Sequence, residues 1–249
     1  MPISRPSVQS LFIEMRFSGQ PLATGSGFVA DSPKGPVLVT NRHNLSGRSC
    51  ETGKPLSPTG GIPNEVVILH NQKAKLGHWI PILQPLLAAD GSPLWSEHPQ
   101  LKDKGDFVAL PLTQLNDVEL FKYSMNDTGP DVMLAPSDYV SVVGFPFGLT
   151  GGGCLAIWAT GFIATELDVD QSGLPIVLVD CHARQGQSGS AVIAHRNGGM
   201  VVMRDGGSAV FSAPVTKFIG IYSGRVSAES DLGIVWKASA IKELLDAMQ

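Results

Sequence analysis

Nowhere does the chain hold about 18 consecutive apolar residues of the kind that span a bilayer, and its start, "MPISRPSVQSLFIEMRF", lacks the apolar run of a secretion signal. No membrane partner is expected. Basic runs are missing too: 18 Lys and Arg stand against 22 Asp and Glu, a net charge of −4. Without a phosphate-tracking stripe, nucleic acid is not an expected partner. Cysteine is scarce. Cys50, Cys154 and Cys181 form no C-x-x-C pair, and an odd count leaves at least one thiol unpaired, which favours a reducing, cytoplasmic setting. His70, His78, His98 and His195 show no ligand spacing with cysteines or acids, so no zinc site and no other cofactor is expected. Gly151, Gly152 and Gly153 are not followed by Lys-Ser/Thr and read as a turn rather than a phosphate loop. The four tryptophans are scattered and suggest no base-stacking platform. Internal repeats and low-complexity segments are absent.

What the chain has is glycine, proline and short apolar runs. With 28 Gly and 18 Pro among 249 residues, a helical bundle is disfavoured. Runs such as "GSGFVA", "GPVLVT", "NEVVILH", "GDFVALPL", "YVSVVGF", "PIVLVD" and "FIGIYS" are mostly four to eight residues long and rich in Val, Ile and Phe, as half-buried strands are. About twelve of them predict an all-β protein. Ser46 to Pro63 and Ala88 to Lys104 read as long loops, and "SMNDTGP", Ser124 to Pro130, as a connector. The boundary placed there gives two β units, 1–125 and 126–249. Only the end predicts a helix: Ile241, Leu244, Leu245 and Met248 recur at helical spacing, with Ser239 available as a cap.

Three local contexts carry one chemistry. Acyl transfer by a serine needs a base, a group that orients the base, and donors for the developing oxyanion. Ser188 sits in "RQGQSGSAV", where Gly186 and Gly189 permit a tight turn, so that the amides of Gly186 and Ser188 can converge on one oxygen. His43 follows an apolar run in "VLVTNRHNL". Asp106 directly precedes a strand in "DKGDFVALPL", with Asp103 as a nearby competitor. Each context alone has an ordinary structural explanation: a turn serine, a satisfied histidine, a solvated turn acid.

Their conjunction in the order His43, Asp106, Ser188 resembles the trypsin-like, chymotrypsin-fold serine peptidases, and more closely their HtrA/DegP-like branch. "GSGFVA" is similar to that branch's "GSGFI", "VTNRHNL" to "TNNHVV", "GDFVALPL" to "DIALIKI" and "VVGFPFGL" to "AIGNPFGL". "DCHARQGQSGSAV", "GIYSGR" and "GIVWKASAIKELL" resemble the nucleophile loop, the substrate-binding strand and the closing strand and helix. The resemblance runs in order over residues 23 to 247. It implies two antiparallel six-stranded β-barrels with a C-terminal α-helix and a cleft between them. It also implies a serine endopeptidase with His43, Asp106 and Ser188 as triad, Gly186 and Ser188 as oxyanion donors, and a peptide or protein substrate. A catalytically weak peptide-binding module of the same fold and a serine esterase are the alternatives.

The resemblance further implies that His182 lies near the base of the specificity pocket, that Ser223, Gly224 and Arg225 line it along a strand able to pair with substrate backbone, and that Gly233 forms its far wall. His182 with Arg225 attracts an acidic side chain on one reading; a neutral His182 narrows the pocket for small or apolar ones on the other. Gln187 stands where digestive members carry the aspartate that pairs with a newly cut amino terminus, and no Ile-Val-Gly-Gly start is present, so synthesis without a propeptide switch is expected. The chain ends at the closing helix, and no PDZ-like domain is expected after it. An inserted stretch predicts a hairpin, "MVVMRD" against "SAVFS" across "GG", either beside the cleft or decorative.

Overall fold

The computed structural model describes residues 3–125, 130–227 and 229–248, and the β-branched apolar runs become strands throughout. The first half holds β1 (Ser10–Phe17), β2 (Gln20–Ser32), β3 (Gly35–Thr40), β4 (Glu65–Gln72), β5 (Trp79–Pro85), β6 (Ser96–Glu97), β7 (Val108–Pro111), β8 (Val118–Glu119) and β9 (Lys122–Tyr123). The second holds β10 (Tyr139–Gly144), β11 (Ile157–Ile163), β12 (Ile176–Asp180), β13 (Ala191–Arg196), β14 (Gly199–Val202), β15 (Ser208–Phe211), β16 (Val215–Arg225) and β17 (Leu232–Lys237). Three short α-helices are found among the described residues, α1 (Arg5–Gln9), α2 (Arg42–Ser46) and α3 (Ala238–Asp246), beside two single 3₁₀ turns.

This is the all-β, two-barrel architecture with a C-terminal helix that the sequence predicts. In the second half β10-β11-β12-β17-β16-β13 close into a six-stranded barrel. The first half has six longer strands and three of two residues, and its ladder runs β5-β4-β1-β2-β3-β7-β6 with free ends. Pro81 and Pro85 remove backbone donors from β5, which suits that strand to an end of the ladder. The tip of the connector between the halves, residues 126–129, lies outside the described residues, and so does the expected boundary between the two units.

The halves share a core. Phe28, Val37, Val39 and Phe107 from the first pack with Phe145, Ile193, Ile221 and Trp236 from the second, and α3 lays Ile241, Leu244 and Leu245 against them, with Met248 just past its end. All four predicted positions are buried, but the helix ends at Asp246, so Met248 packs on the core from beyond it. Truncating one such leucine to alanine costs about 2–5 kcal/mol. Ser239 does not cap α3: the helix starts at Ala238, so Ser239 lies inside it and is exposed. At the other end of the chain, Ser10 Oγ donates to Val143 O at 2.7 Å and Trp158 Nε1 to Ser7 Oγ at 2.9 Å, strapping the amino terminus across the second barrel.

The expected hairpin forms, with Met200 opposite Val210 and Val202 opposite Ser208. It springs from the far end of β13, six residues of extended chain and about 20 Å from the Ser188 end. Its inner side packs with Val132 and Val215. Of the two positions left open, the one beside the cleft is thus not the one it takes.

Candidate active site

Thr40 ends β3, and the chain turns at once into α2, which presents His43; Gly47, at φ 63°, then ends the helix in a conformation costly for a side-chain-bearing residue. Asp106 enters from the loop just before β7 and is buried. His43 Nδ1 lies 2.7 Å from Asp106 Oδ2, and the His43 amide donates to Asp106 Oδ1 at 3.0 Å. Two further donors reach the carboxylate: Ser223 Oγ, and Cys50 Sγ at 3.0 Å. Burial by itself pushes this carboxyl's pKa up. The charge on His43 and the hydrogen bonds from His43, Ser223 and Cys50 outweigh burial and hold it below the usual carboxylate range. An ionised carboxylate only accepts, so the ring turns an Nδ1–H toward it, and the tautomer this selects is the one with its lone pair on Nε2. Asp103 lies exposed in the preceding turn, outside this network.

Ser188 belongs to a tight loop whose glycines are required. At Gly189, φ +87°, a Cβ would stand 2.0 Å from Ser26 O, and at Gly186, φ +90°, 2.5 Å from Phe145 O. The loop is clasped by the "GFPFGL" turn, where Phe147 N donates to Gln185 O at 2.6 Å. A trans peptide points its N–H opposite its C=O, so this bond aims the Gly186 amide away from Phe147. Among the described residues neither the Gly186 nor the Ser188 amide donates to a backbone carbonyl or a side chain. Both donors remain available.

Gln187 is fully buried beneath this loop. Its Oε1 accepts from the Arg184 amide at 2.7 Å, and its own amide donates to Arg184 O at 3.1 Å. The loop is thereby pinned from within.

Ser188 Oγ does not bond to His43. It donates to Ser223 O at 3.3 Å, so Ser223 touches Asp106 through its hydroxyl and Ser188 through its carbonyl. Ser223 is thus in the constellation, in a role that its sequence context did not indicate. Beyond Ile221, which pairs with Ala191, β16 continues past the end of β13, leaving Ser223, Gly224 and Arg225 with a free edge on that side. Gly233 pairs with Arg225 on the other side, and a Cβ on it would lie 2.5 Å from Tyr222 Cε2. The Tyr222 ring, 2% exposed, therefore occupies the space over Gly233. His182 is not at a pocket base: its side chain is 78% exposed and reaches Asp231 at 3.2 Å. Surface solvation and this outward ion-pair partner draw the imidazole away from the interior.

Cys50 comes from the long loop after α2 and was not marked by any spacing rule. Burial of its sulfur and the adjacent Asp106 charge push its thiol up to about 12. The ligand atoms of His43, Cys50 and Asp106 all lie within 4.8 Å of one another.

No protein-family model and no curated protein matches the chain. Solved structures do. A serine endoprotease from Yersinia pestis aligns over 98% of this chain at 15% identity and a TM-score of 0.52, and the chain spans 65% of that protein's length. The active form of the Rv3671c protease from M. tuberculosis aligns over 98% of this chain and 83% of its own at 16% identity and a TM-score of 0.50. The thermostable serine protease AL20 from an extremophilic microorganism covers 98% and 97% at 10% identity and a TM-score of 0.53. At such identities the likeness speaks for architecture, and by architecture the chain has the trypsin-like double-barrel fold of serine proteases.

Proposed function

We propose that the protein is a serine endopeptidase working through His43, Asp106 and Ser188. The observation that carries this reading is the fourfold-held Asp106 carboxylate on His43 Nδ1, which leaves Nε2 as the only basic nitrogen of the ring. An extended substrate adds to the free edge of Ser223–Arg225, and its backbone N–H takes Ser223 O as acceptor. The Ser188 hydroxyl, displaced from that carbonyl, turns to His43 Nε2. Catalytic hydrogen bonds of this kind often form only once substrate is in place.

His43 then accepts the Ser188 proton as Oγ attacks the scissile carbonyl, and the Gly186 and Ser188 amides hold the oxyanion. The imidazolium, stabilised by Asp106, donates its proton to the leaving amine. Water enters, loses a proton to His43, attacks the acyl-enzyme, and Ser188 is released. The pinned Gln187 loop supports synthesis in an active form, as in the HtrA/DegP-like branch, without cleavage of a propeptide. Three free thiols support a cytoplasmic, reducing setting.

A peptide-binding module that does not cleave shares one observation with this reading, the Ser188 hydroxyl bonded to Ser223 O rather than to His43. A fluorophosphonate probe decides between them. Labelling of wild type but not of Ser188→Ala is the expected result; an unlabelled wild type sinks the enzyme. Cleavage of a peptide library, set against hydrolysis of simple esters, then separates peptidase from esterase.

A further inference from the structure

The geometry points to a site for a soft divalent cation of the zinc class, held by His43 Nδ1, Cys50 Sγ and Asp106, which switches the enzyme off. The inference rests on His43 being the catalytic base.

Three different ligand types converge here from three chain segments. Asp106 Oδ2 lies 2.7 Å from His43 Nδ1, and Asp106 Oδ1 lies 3.0 Å from Cys50 Sγ. Tetrahedral zinc with bonds of about 2.0–2.3 Å sets its ligand atoms about 3.3–3.6 Å apart. The carboxylate therefore needs to part from the imidazole and from the thiol by only about half an ångström, and His43 Nδ1 and Cys50 Sγ already lie within 4.8 Å of each other. Imidazole, thiolate and carboxylate are zinc's preferred donors, and a three-ligand set leaves the fourth position to water. Cys50 is exposed as a residue and provides the route of entry. Arg42, the cation beside Cys50, is engaged by Glu97 at 2.8 Å and need not leave.

Charge balances at the site. Two positive charges on the metal meet one carboxylate and one thiolate, so a neutral cluster replaces a buried anion. The proton balance explains the switch. The Cys50 thiol gives its proton to solvent, and the His43 ring moves its proton from Nδ1 to Nε2 to free the Nδ1 lone pair for the metal. An Nε2 that bears hydrogen cannot accept the Ser188 proton. Zinc thus imposes the wrong tautomer, a fault that costs about 10⁴ in turnover in triad enzymes.

The test uses the full chain, with Ser188→Ala for binding so that autolysis plays no part. Co²⁺ added to Ser188→Ala should give a thiolate-to-cobalt charge-transfer band, displaced by Zn²⁺ and absent from Ser188→Ala with Cys50→Ala. Cys154 and Cys181 remain in both proteins and serve as internal controls. In the wild type, saturating Zn²⁺ should lower peptide cleavage by at least about 10²-fold, reversibly with chelator. Cys50→Ala and Cys50→Ser, each scaled to its own metal-free rate, should lose most of this inhibition; the serine form keeps a donor to Asp106 should the alanine form fold poorly. Equal inhibition of the Cys50 variants, or a missing band in Ser188→Ala, overturns the site. A band without any metal-free cleavage by wild type leaves the site standing and overturns the peptidase reading instead.

Discussion

Asn44 Nδ2 donates to Ser188 O at 3.1 Å and to Thr40 Oγ1 at 3.0 Å. Asn44 is the residue after His43 in α2, so the short helix that presents the proposed base also grips the backbone of the proposed nucleophile. Ser26 N, on β2, holds the same carbonyl at 2.9 Å. The placement of His43 against Ser188 is therefore held by contacts at the barrel junction.

Removing that grip should hurt turnover more than binding. Asn44→Ala leaves Ser188 O with its Ser26 bond but frees the loop to drift relative to His43. We expect kcat to fall about 10- to 100-fold with KM nearly constant, the size of one misplaced hydrogen-bonded contact. Asn44→Asp, similar in shape but without the donor hydrogens, should behave like alanine. Steady-state kinetics on one peptide, with thermal melts to confirm folding, would show it; a loss confined to KM would refute the positioning role.

Asp106→Asn should lower kcat by about 10⁴ through the wrong His43 tautomer. It should also remove a pH-dependent part of stability. Because the folded carboxyl lies below its ordinary value, its ionised form stabilises the fold above the unfolded pKa of about 3.9, and that contribution is lost as pH falls through the lower folded pKa. Urea melts of wild type and Asp106→Asn should therefore differ most at neutral pH and converge in acid below about pH 4. A stability gap that widens on acidification would reverse the assigned sign.

How much of this was legible in the sequence follows from chain distance. His43, Asp106 and Ser188 announce themselves because each abuts an apolar strand or a glycine turn, signals written within a few residues. The α3 face was legible for the same reason, as its period is local. Cys50 was not: its partner Asp106 is 56 positions away, and loop residues 47–64 carry no periodicity to say where the thiol will land. Ser223 was readable as an edge-strand residue, but its hydroxyl on Asp106 spans 117 positions. Ser26 and Asn44 look like ordinary strand and helix residues until the second barrel docks on them. His182 misled because position before the nucleophile says nothing of a rotamer, and solvent with Asp231 decides it.

Gln187 offers a test of how the proposed oxyanion loop is ordered. Gln187→Ala deletes the acceptor of the Arg184 amide and leaves a void in a fully buried place. The Gly186 amide should then lose its fixed direction, lowering kcat by up to about 10²–10³, the range for one oxyanion donor. A peptidyl boronate, whose tetrahedral adduct uses those amides, should weaken in parallel, while binding of a cleaved product should not. Equal weakening of both ligands would mean the loop shapes the substrate site instead.

Tyr222, rather than His182, should set specificity. Its ring covers Gly233, the expected far wall, and so fills the depth into which a large substrate side chain would reach. The wild type should then prefer small side chains just before the scissile bond. Tyr222→Val keeps an apolar, β-branched residue suited to the strand while removing most of the ring's volume. Its library profile should move toward Leu and Phe, with kcat/KM on such peptides rising about tenfold or more, since each methylene newly admitted to an apolar pocket is worth about 10- to 200-fold. His182→Ala, changing only an exposed side chain paired with Asp231, should leave the profile as it was. Should His182→Ala shift the preference while Tyr222→Val does not, the pocket lies nearer the surface than the Tyr222 ring, and the depth argument fails.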